Sequence, residues 1–263
     1  MTRMPALFLG HGSPMNAIED NPFRRAWAAA ARAMPRPSAV VCVSAHWENP
    51  GVAVSRSDRP ETIHDFSGFP DELFAVEYPA PGDPALCETL AALVKSAPVA
   101  FDPDRGLDHG AWSVLRSMYP DADVPVVQLS LDTRHLPAFH YALGRELAPL
   151  RERGVLILGS GNVVHNLAMI DFRRRAGYDW AARFDETLRK RILARDHAAL
   201  VAYETLDAAA TLAVPTPEHY LPLLYILALQ GDDEPAALFN AETLMGSISM
   251  TSVAIGVNEG SFP

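Results

Sequence analysis

The sequence predicts an α/β fold, a single domain with a twisted, mostly parallel central sheet flanked by helices. Three observations predict it. Short apolar runs alternate with longer amphipathic stretches, which is the pattern of strand–helix–strand units. The runs are apolar at consecutive positions, as strands covered on both faces are. The length of 263 residues suits one α/β unit of about 250 residues better than two small domains.

The elements follow in order. Residues 6–9, 39–43, 124–131 and 155–158 read as buried strands, each bounded by turn signals. Between the first two lies a helix over 22–34, Ala-rich, opened by Pro22 and stopped by Pro35. A second helix, 83–96, takes Pro84 into its first turn, and helices over 136–150 and 180–194 come later. Residues 247–256 alternate polar and apolar and are expected to close the sheet. The stretch 56–82 is long, irregular and rich in proline and glycine. Loops of that length in compact domains usually serve as lids or binding loops. No repeat or low-complexity linker interrupts the chain, so 1–263 is expected to be one catalytic domain.

Composition excludes several functions. Apolar residues make up 49% of the chain, too many for a disordered protein. With 22 Lys and Arg against 32 Asp and Glu the formal charge is −10, so no nucleic acid partner is expected. The one dense basic cluster, Arg173, Arg174 and Arg175, reads as a solvated loop. Two cysteines, Cys42 and Cys87, make no disulfide framework and fit a reducing compartment. Cys42 lies inside Val40-Val41-Cys42-Val43 and is expected to be a small buried hydrophobe. The first apolar run is too short for a signal peptide, and no stretch reaches the ~18 residues of a membrane span. A soluble, cytoplasmic protein is expected, as a monomer or small homo-oligomer and with no membrane partner.

The informative residues are histidines. His11 follows the first strand in Gly10-His11-Gly12-Ser13-Pro14. His46 follows the second in Ser44-Ala45-His46-Trp47, and His165 comes shortly after another in Gly159-Ser160-Gly161-Asn162-Val163-Val164-His165. Open α/β sheets bind ligands beyond the carboxyl ends of their strands, so these three would converge on one cleft. Imidazole is a common ligand for Zn and Fe, and three or four of them make a divalent site. A single His in a glycine-rich turn is usually a loop residue; three at strand ends weigh evenly between that and a metal site. His135, His140 and His197 lie in or beside helices and read as surface or capping residues. Other chemistries lack their signatures. Gly159-Ser160-Gly161 is not a G-x-S-x-G elbow, Gly10-His11-Gly12 has no third glycine for a dinucleotide, and no phosphate-loop lysine is present. Neither cysteine sits where a thiolate would be activated.

Six motifs in order resemble one family over most of the chain. They are Gly10-His11-Gly12-Ser13-Pro14-Met15; Ser44-Ala45-His46-Trp47; Thr62-Ile63-His64-Asp65-Phe66 with Gly68-Phe69-Pro70; Leu107-Asp108-His109-Gly110-Ala111-Trp112; Gly159-Ser160-Gly161-Asn162 with His165-Asn166; and Thr216-Pro217-Glu218-His219-Tyr220. The family is the class III extradiol ring-cleavage dioxygenases, in their DOPA 4,5-dioxygenase-like branch. The resemblance implies an enzyme that opens a catechol, DOPA-like, beside its two hydroxyls with O₂. It implies one divalent metal ion, Fe(II) for turnover, with Zn plausible as the metal found bound. His11 and His46 match the two metal-binding histidines. His165 matches a pocket histidine that serves as acid and base in the wider superfamily and as a ligand in this branch. His219 stands where the wider superfamily has a glutamate ligand, and Glu218 is its neighbour; the branch motif favours His219.

Residue chemistry supports these roles. A metal chelating a catechol lowers the phenol pKa, and a neutral histidine beside it can accept the second proton and return it as the ring opens. His165 and His109 are the candidates, His165 for the proton and His109 for contact with oxygen or substrate, with orientation of a ligand as the alternative for His109. On the long loop, His64 and Asp65 are expected to read the polar tail of the substrate, or else to bond within the loop. Trp47 and Phe66 could wall the ring or pack the core. Two other functions remain open on these residues: a metal-dependent hydrolase on the same scaffold, and a catalytically silent metal-binding relative.

Overall fold

In the computed structural model residues 3–257 and Phe262 are described. The apolar runs become strands. They are β1 (Ala6–Gly10), β2 (Ala39–Asn49), β3 (Val52–Ser55), β4 (Val99–Asp102), β5 (Val126–Asp132), β6 (Val155–Gly161), β7 (Ala236–Phe239), β8 (Thr243–Leu244), β9 (Ile248–Ser249) and β10 (Ser252–Ile255). Eight of them form one sheet in the order β4-β3-β5-β2-β6-β1-β10-β7. Its centre is parallel: β5, β2, β6 and β1 run the same way, and β4 is parallel to β3. The pairings β3–β5, β1–β10 and β10–β7 are antiparallel. The expected mostly parallel α/β sheet is therefore present, with an antiparallel margin. The pair β8–β9 is a separate small ribbon.

Among the described residues ten α-helices accompany the strands: α1 (Pro22–Ala33), α2 (Asp71–Phe74), α3 (Pro84–Leu93), α4 (His109–Met118), α5 (Pro137–Glu146), α6 (Ala148–Arg151), α7 (Asp179–Leu193), α8 (His197–Val201), α9 (Ala210–Ala213) and α10 (Leu221–Leu227). Side chains of a strand alternate between faces, and here both faces are buried. Ala6 and Phe8 enter one core with Val41, Val43, Phe184 and Tyr225. Leu7 and Leu9 enter the other with Val40, Cys42, Trp27 and Trp112. The first core lies under α5, α7 and α10, the second under α1 and α4. Cys42 is fully buried, as its apolar run requires.

Several boundaries move for identifiable reasons. The helix expected over 136–150 breaks into α5 and α6, because Pro149 has no N–H and its ring would clash with the carbonyl four residues back. The strand expected from 124 starts at Val126, after Pro125. Strand β2 runs on to Asn49: its register with β5 shifts between Val43 and Glu48, and pairing resumes at Glu48↔Leu131. His46 therefore lies inside the strand, within its irregular stretch, rather than after the strand. The single closing strand over 247–256 is two, β9 and β10, separated by Met250 and Thr251. His140, expected as a surface or capping residue, is a core residue at 0% exposure, with Nδ1 3.0 Å from the Tyr225 hydroxyl. His135 is exposed, stacked on Phe139, and His197 is half-buried between Tyr141 and Gln230. No helix is long and apolar enough to cross a membrane among the described residues.

Candidate active site and metal centre

Strand pairing brings the histidines together. β1 and β6 run parallel in register, Gly10 opposite Gly161, and both end at the same edge. The His11 N–H donates to the Gly161 carbonyl at 3.0 Å, and the next N–H, of Asn162, donates to the His219 carbonyl at 2.8 Å. One strand end thus holds the backbones of two histidines far apart in sequence. The fit leaves no room for side chains: a Cβ on Gly161 would lie 2.1 Å from the His219 carbonyl oxygen. His46 comes from the far end of β2, against Gly110 of α4, where an added Cβ would meet the His46 ring at 2.8 Å.

Helix α4 supplies His109 at its first position. Its N-cap, Asp108, is fully buried and fully bonded. Asp108 Oδ1 accepts from the Ser44 hydroxyl at 2.6 Å and the Ala111 N–H at 3.1 Å. Its Oδ2 accepts from Arg105 Nη2 at 2.6 Å and Gln128 Nε2 at 2.7 Å. Arg105 also donates to the His46 carbonyl at 3.2 Å. The carboxylate therefore ties β2, β5 and α4 together under His46 and His109, as a satisfied buried charge must be. The long loop is stapled to the start of α4 by Ile63 N–H to Leu107 O and Leu107 N–H to Glu61 O, both 2.7 Å, and by Trp112 Nε1 to Ile63 O at 2.8 Å.

That staple sets Asp65 between two histidines. Asp65 Oδ1 accepts from the His109 N–H at 2.9 Å and lies 2.9 Å from His109 Nδ1, while Oδ2 lies 3.4 Å from His46 Nδ1. Burial would raise the Asp65 pKa, but the His109 hydrogen bonds and charge outweigh it and bring it down to about 2. Asp65 stays ionised, holds the site's own imidazoles and lines the cavity. His64 is turned away: its Nε2 is 2.9 Å from the Val76 carbonyl, its ring lies among Phe66, Phe74 and Trp112, and it is not on the cavity wall. Phe66 does wall the cavity, with its ring edge-on to His109 at 5.5 Å between centroids. Trp47 is packed beneath the Arg105 guanidinium, 5.0 Å from its ring centroid, and does not line the cavity.

The hydrogen bonds fix which imidazole nitrogens are bare. Carboxylates and carbonyls only accept. Ser160 Oγ donates to the Gly110 carbonyl at 2.5 Å, so it accepts from His11 Nδ1 at 2.9 Å. His219 Nδ1 donates to Glu218 Oε1 at 3.0 Å. His46 and His109 both turn Nδ1 to Asp65. Burial keeps His11, His46 and His219 neutral, so these three rings are left with Nε2 as a lone pair. The Nε2 atoms of His11 and His46 face each other at 3.3 Å, and the buried Nε2 of His219 has no hydrogen-bond partner among the described residues. The His219 ring lies 5.3 Å from that of His11 and 5.0 Å from that of His46, between centroids.

Facing lone pairs repel unless a cation lies between them. Two nitrogens held about 2.0–2.1 Å from one ion at a tetrahedral angle sit about 3.3–3.4 Å apart. This donor set therefore fits a divalent metal. His11, His46 and His109 bring ligand atoms within 4.8 Å of one another, and so do His165, Glu218 and His219. The His165 ring stacks on His219 with centroids 3.4 Å apart and planes 8° from parallel. Burial holds His11, His46, His165 and His219 below the usual imidazole pKa, His46 and His165 at about 4, and neighbouring imidazoles add to it. The expected ligands His11, His46, His165 and His219 and the expected His109 all line one cavity of about 620 Å³. Ser160 was not expected in the site. Its sequence signal is the motif Gly159-Ser160-Gly161-Asn162 at a strand end, which carries part of the resemblance but gives the serine no role.

This fold and this histidine-lined cleft define a class, and residues 5–256 match the family described as the catalytic LigB subunit of aromatic ring-opening dioxygenase. The chain belongs to that family, the class III extradiol dioxygenases, and is an extradiol ring-cleavage dioxygenase. The family is metal-dependent and acts on small aromatic substrates with O₂. The chain is 48% identical over 261 residues to the 4,5-DOPA dioxygenase extradiol of Escherichia coli (strain K12), covering 97% of this chain and 96% of that protein. It is 38% identical over 240 residues to the 4,5-DOPA dioxygenase extradiol of Beta vulgaris, covering 89% of each. A crystal structure of an uncharacterized protein from Escherichia coli K12 superposes with a TM-score of 0.84 at 43% identity, covering 97% of this chain and all of that one.

Proposed function

We propose that the chain, acting as one catalytic domain over residues 1–263, opens the ring of a catechol with O₂ at a single divalent metal held by His11, His46 and His219. One observation carries this reading: the facing Nε2 atoms of His11 and His46, with the ring of His219, whose Nε2 has no partner among the described residues, 5.3 and 5.0 Å from theirs between centroids. Fe(II) is the metal proposed for turnover, and imidazole donors suit Zn as well. When bound, the metal supplies positive charge that lowers the phenol pKa and open positions for the substrate oxygens and O₂. The DOPA named for two of the relatives above is the first substituted catechol to assay.

The chain's own residues do the rest. His165 is neutral at pH 7, and neither of its ring nitrogens has a protein partner among the described residues. It takes the second phenolic proton and, being a weak base, gives it back readily as the ring opens. His109, fixed by Asp65 at its N–H and Nδ1, hydrogen-bonds to a substrate oxygen. Phe66 packs on the ring. Asp65 positions His46 and His109, and the role of His64 is confined to its loop. The protein is taken to be cytoplasmic, a monomer or small homo-oligomer. The test is an aerobic assay of Fe(II)-reconstituted protein on a catechol panel, with His11→Ala and His46→Ala analysed for metal. A yellow semialdehyde product that requires O₂, together with metal loss in both variants, is expected. Full metal occupancy in both variants, or turnover that persists without O₂, would overturn the reading.

A further inference from the structure

Strand β6 ends in Gly159-Ser160-Gly161, and backbone crowds both glycines. A Cβ on Gly159 would lie 2.6 Å from the Pro222 carbonyl oxygen, and one on Gly161 would meet the His219 carbonyl. Ser160 is the side chain this strand end can carry. It lies in the middle of the sheet, opposite Leu9 of β1 and Ser44 of β2, which shortly precede His11 and His46. Its side chain is fully buried and is not on the cavity wall, so it touches no substrate. The one hydroxyl proton goes to the Gly110 carbonyl of α4 at 2.5 Å, because a carbonyl can only accept. The hydroxyl lone pairs are left to face His11 Nδ1 at 2.9 Å, which is then the protonated nitrogen.

The other tautomer of His11 has a partner of its own. His11 Nε2 lies 3.3 Å from His46 Nε2, and His46 turns Nδ1 toward Asp65 Oδ2 at 3.4 Å, which leaves His46 Nε2 as an acceptor. A His11 ring protonated at Nε2 would donate to it, and the two nitrogens would satisfy each other instead of an ion. Resting on the metal reading above, we infer that Ser160 is a positioning residue of the metal centre: its hydroxyl holds the His11 proton on Nδ1 and so keeps the Nε2 atoms of His11 and His46 open to the ion. Carboxylates back the other two ligands, Asp65 behind His46 and Glu218 behind His219, whereas His11 Nδ1 has this neutral hydroxyl as its partner. Without it, a bound metal leaves the His11 N–H buried with no acceptor, and an unmet buried donor is costly. The metal-free protein escapes that cost by moving the proton to Nε2 and bonding His11 to His46. Both effects favour the metal-free state.

The measurement is the Zn(II) affinity of the folded protein, by competition with a chromophoric chelator, beside the visible absorption of the Co(II) form. Ser160→Ala should bind Zn(II) about 10–100-fold more weakly, the range for losing a ligand's orienting partner, and should shift the Co(II) bands. Ser160→Cys nearly keeps the volume and offers sulfur, a weak acceptor, so it should also lose affinity, and it carries the test if Ser160→Ala does not fold. Ser130→Ala is the comparison. Ser130 is equally buried, and its hydroxyl also makes two bonds, accepting from the Ala53 N–H at 2.9 Å and donating to the Gly51 carbonyl at 3.2 Å, neither to a histidine. Ser130→Ala should keep the Zn(II) affinity and the Co(II) spectrum of the unmodified protein. Unmodified affinity in both Ser160 variants, with Zn(II) lost in His11→Ala, overturns the inference and leaves the metal reading standing. An equal loss in Ser130→Ala overturns it as well, since any buried hydroxyl would then serve. Zn(II) held at unmodified affinity in His11→Ala overturns the metal reading, and the inference with it.

Discussion

His165 and Asp65 carry the chemistry that single residues decide. His165 stacks face to face on His219, so its ring can meet substrate without being a ligand. His165→Gln should keep the metal and lose about 10²–10⁴-fold in turnover; elemental analysis beside kcat separates a base from a ligand, since a ligand's loss would remove the metal too. Asp65 was expected to read the polar tail of the substrate or to bond within its loop, and its oxygens face His109 and His46. Orienting partners of this kind are worth about 10–100-fold in activity or metal affinity. Asp65→Asn should therefore lower kcat/KM for catechol and for DOPA by the same factor within that range. A loss confined to DOPA would return Asp65 to a substrate-reading role.

At the scale of elements, the site depends on strands ending together and on backbone passing close by. The end of β6 holds both His11 and His219 through the single peptide group between Gly161 and Asn162. Gly161 has room for no Cβ because the His219 carbonyl would stand 2.1 Å away, and that atom is backbone. Gly161→Ala should push the two histidines apart. The expected outcome is a folded protein, with far-ultraviolet circular dichroism unchanged, that retains less than about a tenth of its metal on dialysis. Full retention would mean that the strand end yields without moving the ligands. Gly68, on the outer loop, has open space around its Cβ position and a positive φ of 77°, so an alanine there strains the loop without touching the metal.

For the whole molecule, stability and pH are linked through buried imidazole. His140 is in the core beside Tyr225, and burial lowers its pKa to about 4 from 6.5. Neutral when folded, it binds a proton in the unfolded chain below pH 6.5. The stability it confers is complete above pH 6.5 and is lost as pH falls toward 4. Between pH 7 and pH 5 that loss is about 2 kcal/mol. His140→Gln keeps a partner for the Tyr225 hydroxyl and cannot titrate. Urea midpoints should show the variant losing about 2 kcal/mol less than the unmodified protein over that interval. Equal losses would mean that His140 is charged in neither state or in both.

Much of this was written in local sequence. Continuous apolar runs need burial on both faces, so Ala6 to Leu9 and Val155 to Leu158 could only be central strands, and prolines at 22, 84 and 137 fix φ for helix starts. Histidines just past such strands reach the cleft because a parallel sheet gathers its carboxyl ends on one side. Strand registers and helix breaks were less legible, since the slip in β2 is set by its pairing with β5 and the break before α6 by one proline ring against a carbonyl. The roles of Asp65, Ser160 and Glu218 depend on contacts across 44, 149 and one residue of sequence respectively. Only the first two needed the fold, because nothing local says which donor a distant carboxylate or hydroxyl will meet. His64 and Asp65 are adjacent, yet one bonds within its loop and the other enters the site. Residue type and position along the chain determined that histidines would gather beyond the strand ends. The tertiary structure decided which nitrogen of each faces the centre, because a tautomer is chosen by the partner on the other side of the ring, and those partners arrive only when the chain is folded.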